Sequence, residues 1–191
     1  MKIIGVIDID GTITNLDFFK LTNKATILDA NLNRFNIKIF RLILYKIVLL
    51  YSKNIKTRDN VKYALNELKN NNTEINFLTR RPFASENTKE GAIIKKLIET
   101  SLIINDIPYD NIYYTNGNKL SECLTLNADF IIEDSPKNIM FLSNYLPVIV
   151  IDTPYNKGIY GKNIYRAKDW LEVPNIVLSI CENKKSPKAL K

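Results

Sequence analysis

Short apolar runs alternate along this chain with longer stretches of helical periodicity. Met1, Ile3, Ile4, Val6 and Ile7 make five of the seven residues before Asp8 apolar. That pattern reads as a strand buried on both faces, as in a parallel sheet. After Thr14 the pattern turns helical. Leu16, Phe18, Phe19 and Leu21 open an apolar stretch, residues 25–34 are mixed, and 37–51 is rich in Ile, Leu and Tyr. On a helix Lys38, Arg41, Lys46 and Lys53 fall within a sector of about 140°, leaving the rest of the circumference apolar. Such a helix must pack within a small helical subdomain, form a dimer face or lie on a membrane.

From Lys56 onward, helices and strands are predicted in alternation. Val61, Ala64, Leu65 and Leu68 have helical spacing that ends at Asn70-Asn71-Asn72, and residues 74–79 form a short strand broken by Arg80-Arg81-Pro82. A helix is expected over 84–102 with Ile93, Ile94, Leu97 and Ile98 inward, then a strand at 111–115 and a short helix at 119–126. A buried strand at 129–133 leads into a helix to about Tyr145; Pro147–Asp152 reads as the last strand, followed by a loop over 154–162 and a helix over 169–181. No internal repeat is visible. The alternation predicts an α/β fold with a doubly wound parallel sheet.

Composition narrows the chemistry. A length of 191 residues suits one domain with an insertion. No apolar run reaches the roughly 18 residues of a membrane span. The amino-terminal run is interrupted by Asp8 and shows no cleavage pattern, so no secretion signal is expected. Cys123 and Cys181 are too few for a disulfide framework and have no metal-type spacing, so a reducing cytoplasm is expected. Histidine is absent, which removes Ser-His and Cys-His catalysis and His-ligated zinc. The net charge of +7 is concentrated: residues 15–60 carry nine Lys/Arg against three Asp/Glu, and 182–191 add +3. A basic surface there suits an anionic partner, although solvated lysines on a helical face account for it equally well. No nucleic-acid-reading module is present.

In a doubly wound sheet, ligands bind beyond the carboxyl ends of the strands. Three strands end there in polar groups: Asp8-Ile9-Asp10, Thr79-Arg80-Arg81 and Glu133-Asp134-Ser135. Asp8 and Asp10, pointing the same way in extended geometry, repel unless a cation such as Mg²⁺ sits between them. Gly11 permits the sharp turn that follows. Each piece alone has a bland reading as a strand-end turn or a cap. Together they assemble carboxylates, a hydroxyl donor and cations, the set used in phosphoryl transfer.

Asp8-Ile9-Asp10-Gly11-Thr12 resembles the first motif of the haloacid dehalogenase (HAD) superfamily of phosphatases. Phe77-Leu78-Thr79 resembles the second, Lys119 stands where the third-motif lysine is expected, and Ile131-Ile132-Glu133-Asp134 resembles the fourth. Residues 78–82, 130–138 and 152–156 resemble the 5′(3′)-deoxyribonucleotidase branch and its bacterial relatives. This resemblance implies an α/β core over 1–14 and 58–181 and a helical cap over 15–57, with 182–191 a basic tail expected to be disordered. It implies that Asp8 is the nucleophile, Asp10 the general acid and base, Thr79 a donor to the phosphoryl group and Lys119 its charge partner. The Asp8 carboxylate, the Asp10 backbone carbonyl and Asp134 would hold Mg²⁺. Lys137 is a rival for the lysine role, and Glu133 departs from the usual second Asp, leaving its part open. Arg80 and Arg81 have three readings: phosphate contact, cap contact or surface pairing. Phe18, Phe19 and Tyr45 either stack on a base or pack cap against core. The expected substrate is a nucleoside 5′- or 3′-monophosphate; a phosphosugar or other small organic phosphate is the alternative. A third reading makes 37–51 the working surface of a membrane- or partner-associated protein, a homodimer included.

Overall fold

The computed structural model describes residues 2–14, 37–53 and 56–185. Phe18, Phe19 and the tail from 186 lie outside these residues. Six strands form one sheet: β1 (Ile3–Ile7), β2 (Thr73–Thr79), β3 (Asn111–Tyr114), β4 (Phe130–Glu133), β5 (Val148–Ile151) and β6 (Ile164–Ala167). Their order is β3-β2-β1-β4-β5-β6, and every pairing is parallel. The helices are α1 (Ile37–Lys53), α2 (Val61–Asn70), α3 (Lys89–Ile104), α4 (Lys119–Thr125), α5 (Pro136–Leu142) and α6 (Val173–Lys185).

Strand residues alternate between two cores. Ile7, Phe77 and Ile132 pack with Leu65 and Leu68 of α2, Ile94 and Ile98 of α3, and Val177 of α6. Val6, Leu78 and Ile131 face the opposite way, onto Cys123 of α4 and Ile139 and Leu142 of α5. Both faces of the sheet are therefore covered, and the central strands read as unbroken apolar runs for that reason. Gly5 lies where β1 passes the ring of Phe130; a Cβ there would stand 2.6 Å from Cζ.

The structure corrects several expectations. Residues 164–167 form a sixth strand, whereas Pro147–Asp152 was expected to be the last. β6 is a sheet edge with three half-buried residues and only Ala167 buried, so it lacks the apolar run that marks the central strands. α3 starts at Lys89 rather than Ala84. Phe83 is in the left-handed region at φ 68°, and Thr88 caps the helix by accepting from Gly91 N. Ile93 faces solvent at 45% exposure, and the inner positions are Gly91, Ile94, Ile98 and Leu102. The helix after β4 stops at Leu142. The carboxy-terminal segment opens as a 3₁₀ turn at Trp170–Glu172 before α6 begins.

α1 packs against α3 with Val48, Tyr51 and Ser52 buried, and Arg41 pairs with Glu86. Ile39, Leu42, Ile43 and Leu50 are exposed, so the apolar circumference is covered on one side only. Among the described residues, no helix is long and apolar enough to cross a membrane. Thr14 and Thr57, which stand on either side of α1 in the chain, form an antiparallel bridge.

Candidate active site

β1, β2 and β4 are neighbours running in one direction, so their carboxyl ends lie along the same edge. β1 ends at Ile7, and the chain turns through Ile9–Ile13, closed by Thr14 N donating to Ile9 O at 3.2 Å. Gly11 has φ +81° in this turn, and a Cβ there would stand 2.2 Å from Asp134 Oδ2. The indole of Trp170 donates to Thr12 O from beneath, at 3.3 Å. Arg58 donates to Gly11 O through Nε at 3.0 Å and its terminal nitrogen at 2.6 Å. The turn is thus held from three sides.

Because the turn begins at Ile9, between Asp8 and Asp10, the two carboxylates take different partners, contrary to the extended-geometry expectation. Asp8 is buried and pairs with Lys119 Nζ at 2.6 Å. Lys119 is the first residue of α4, whose cap Asn118 accepts from Leu120 N and Ser121 N. The same Nζ reaches Glu133 Oε2 at 2.8 Å. Glu133 is fully buried at the end of β4; it also accepts from Asn138 Nδ2 and from the amides of Asp134 and Ser135. This gives Glu133 a place that the sequence left open: it fixes Lys119. The rival Lys137 is exposed on α5.

Asp10 turns instead toward β2. Its Oδ2 accepts the Thr79 hydroxyl at 2.8 Å, and its Oδ1 is paired with Arg81, whose Nε lies 3.1 Å away. Thr79 Oγ1 in turn accepts from Arg81 N at 3.1 Å. Arg80 is exposed and lines a cleft of about 440 Å³ with Phe40, Arg41, Phe83 and Asn116. Tyr45 packs edge-on against Phe83 at 5.5 Å, the cap-to-core packing alternative.

Asp134 accepts from Thr12 Oγ1 at 2.9 Å and from the Tyr155 hydroxyl. Asn156 Nδ2 donates to Asp134 O at 3.2 Å and to Ile151 O at 3.0 Å. Thr12, Tyr155 and Asn156 lie in stretches whose family resemblance the sequence displays, but no role was expected of them, and Arg58 was not singled out at all. Tyr155 and Asn156 follow β5, a fourth strand ending at the same edge, and that position was the available signal.

Carboxylate oxygens of Asp8, Glu133 and Asp134 lie within 4.8 Å of one another; the expected metal set took the carboxylates of Asp8 and Asp134 with the Asp10 backbone carbonyl. Burial pushes Asp8 well above the usual carboxylate range; Lys119 opposes this, and the charges of Glu133, Asp134 and Asp10 add to it. Burial and the Glu133 charge push Asp134 up to about 6, against hydrogen bonds from Tyr155 and Thr12. Burial alone would lower Lys119, but Asp8 and Glu133 outweigh it and hold the ammonium above its ordinary range. Four carboxylates (8, 10, 133 and 134) meet two directly paired cations, Lys119 and Arg81. A divalent ion bound by oxygen would neutralise the two remaining charges, so the residues present fit Mg²⁺.

A parallel sheet in this order, with an acidic turn after its central strand, is a HAD-type, Rossmann-like core. The fold is shared with the D,D-heptose 1,7-bisphosphate phosphatase of Burkholderia thailandensis (TM-score 0.59, 11% identity, 93% of this chain and 99% of that one). It is shared equally with the B. bronchiseptica enzyme, solved with magnesium and phosphate (TM-score 0.59, 12% identity, 94% and 99%). Within that class, residues 50–183 match the model of the 5′ nucleotidase, deoxy (pyrimidine), cytosolic type C family, and the chain belongs to it. A nucleotidase of Clostridium acetobutylicum is 31% identical over 185 residues, covering 90% of this chain and 91% of its own. YqfW of Bacillus subtilis is 28% identical over 188 residues, covering 87% and 89%.

Proposed function

We propose that this chain is a Mg²⁺-dependent phosphomonoester hydrolase that works through an aspartyl-phosphate on Asp8 and acts on (deoxy)nucleoside 5′- or 3′-monophosphates. The observation that carries the reading is the buried Asp8 carboxylate, paired with Lys119 and set beside Asp134. Asp8 attacks phosphorus; the bond from phosphorus to the leaving oxygen breaks, and that oxygen takes a proton from Asp10. Water then attacks the phosphoryl group and gives a proton to Asp10, the bond from phosphorus to the Asp8 oxygen breaks, and inorganic phosphate and the Asp8 carboxylate result. Lys119 offsets the repulsion between Asp8 and the incoming phosphate, and Glu133 keeps Lys119 in place. Thr79 positions Asp10 through its hydroxyl hydrogen. Mg²⁺ held by Asp8, Asp134 and the Asp10 backbone carbonyl would supply the remaining positive charge at the phosphoryl oxygens.

The nucleotide preference is supported by the family and by the name of the Clostridium relative. Residues 15–57 act as the cap over a core of 1–14 and 58–181. A cytoplasmic setting accords with Cys123 and Cys181 being buried and not joined in a disulfide. The test is phosphate release with and without Mg²⁺ across nucleoside monophosphates and sugar phosphates. Nucleotides should lead, and Asp8→Asn should lose at least about a thousandfold in kcat. Equal turnover by Asp8→Asn would overturn the mechanism, and a panel led by sugar phosphates would overturn the substrate class.

A further inference from the structure

Arg81 has surroundings that no assigned role explains. Its side chain is fully buried, although arginine is almost never so unless paired. Its fork is used on both sides. Nε and one terminal nitrogen contact the Asp10 carboxylate; the other terminal nitrogen lies 3.2 Å from Ser52 Oγ, in the last turn of α1. The guanidinium also sits over the ring of Tyr51, 5.4 Å from its centroid. Its own amide donates to Thr79 Oγ1, whose hydroxyl donates to the other Asp10 oxygen. Both oxygens of Asp10 are therefore fixed, one by Arg81 and one by Thr79. Through Ser52 and Tyr51, the same guanidinium is seated on the inserted helix.

We propose that Arg81 is a positioning residue that aims the Asp10 carboxylate at the leaving oxygen and makes that aim depend on the seating of α1. The proposal rests on the phosphatase reading above, in which Asp10 protonates the leaving group. A planar fork with donors on two edges can hold a carboxylate on one side and a helix hydroxyl on the other, whereas a lysine supplies a point charge without the fixed geometry. Arg81→Lys thus keeps the charge and removes the aim. Ser52→Ala keeps the Arg81–Asp10 pair but weakens its tie to α1, so the aim is disturbed less.

The readout is kcat/KM on two substrates: 4-nitrophenyl phosphate, whose leaving group departs without a proton, and the nucleoside monophosphate that the enzyme cleaves best, whose alkoxide needs one. Arg81→Lys should lose at least about tenfold on the nucleotide and less than about threefold on the nitrophenyl ester. Ser52→Ala should lose in the same direction by a smaller factor, and it serves alone if Arg81→Lys fails to fold. Equal losses on both substrates, or a gain on the nucleotide, overturn the proposal. A Ser52→Ala enzyme indistinguishable from the unsubstituted one overturns the link to α1. If Asp8→Asn matches the unsubstituted enzyme, the phosphatase reading itself has failed; if Asp8→Asn is inactive and Arg81→Lys loses equally on both esters, only the role of Arg81 has.

Discussion

Gly11 carries more of the site than its size suggests. Its positive φ turns the chain away from β1, and its missing side chain leaves the space that Asp134 and the Tyr155 hydroxyl occupy. Gly11→Ala places a methyl against Asp134 Oδ2 and adds backbone strain of about 1–2 kcal/mol. The expected outcome is a protein that folds and loses about a hundredfold in kcat through displaced carboxylates; retained activity in a steady-state assay would show that Asp134 can shift without cost. The places of Asp8, Asp10 and Thr79 were legible in the sequence because each stands at a strand end that the pattern already marks, whereas Lys119 was picked out by its resemblance to a motif lysine. The partners of Asp10 were not. Whether Arg80 or Arg81 turns inward depends on how the chain leaves β2, and nothing in the spacing distinguishes two adjacent arginines.

The elements differ in how they hold the site. α4 is only seven residues long, and its first residue is Lys119. Its start is fixed by Asn118 Oδ1, which accepts from Leu120 N at 2.8 Å and Ser121 N at 3.3 Å. Asn118→Ala should cost about 1 kcal/mol, read as a lower urea midpoint at unchanged slope. A midpoint that does not move would mean that the buried Lys119 pairs alone define the helix start. The central strands and α2 were readable because burial on both faces, or strict 3.6-residue spacing, leaves an unmistakable pattern. β6 and the start of α3 were hidden for opposite reasons. β6 has little burial to record, and the turns before α3 contain Phe83 and Ala84, apolar residues buried outside any helix. α1 was read as apolar outside a charged sector of about 140°, but sequence could not say which apolar residues the described part of the chain would leave exposed.

At the scale of the whole molecule, the acidic edge works against the fold. Asp134 binds its proton more tightly in the folded chain than a free carboxylate does, and Asp8 is shifted in the same direction. Between about pH 4 and pH 6 the folded state holds more protons at Asp134 than the unfolded one, so stability falls as pH rises through this window. For Asp134 the shift to about 6 corresponds to about 3 kcal/mol. A divalent ion bound at Asp8 and Asp134 removes that penalty. Mg²⁺ should therefore raise the melting temperature of chelator-treated protein more at pH 7.5 than at pH 5, as followed by calorimetry; an equal rise at both values would place the ion elsewhere.

The pairing of β1 with β4 has a consequence for biosynthesis. Ile4 N is met by the carboxylate of Asp129, 125 residues further on, and Asp134 is completed only by Tyr155. A chain emerging from the ribosome thus holds its first strand ready long before the neighbour on one side exists. Nascent fragments should keep that sticky edge uncovered, recruit holdase chaperones, and acquire turnover abruptly, once residue 155 has left the ribosome, rather than by degrees.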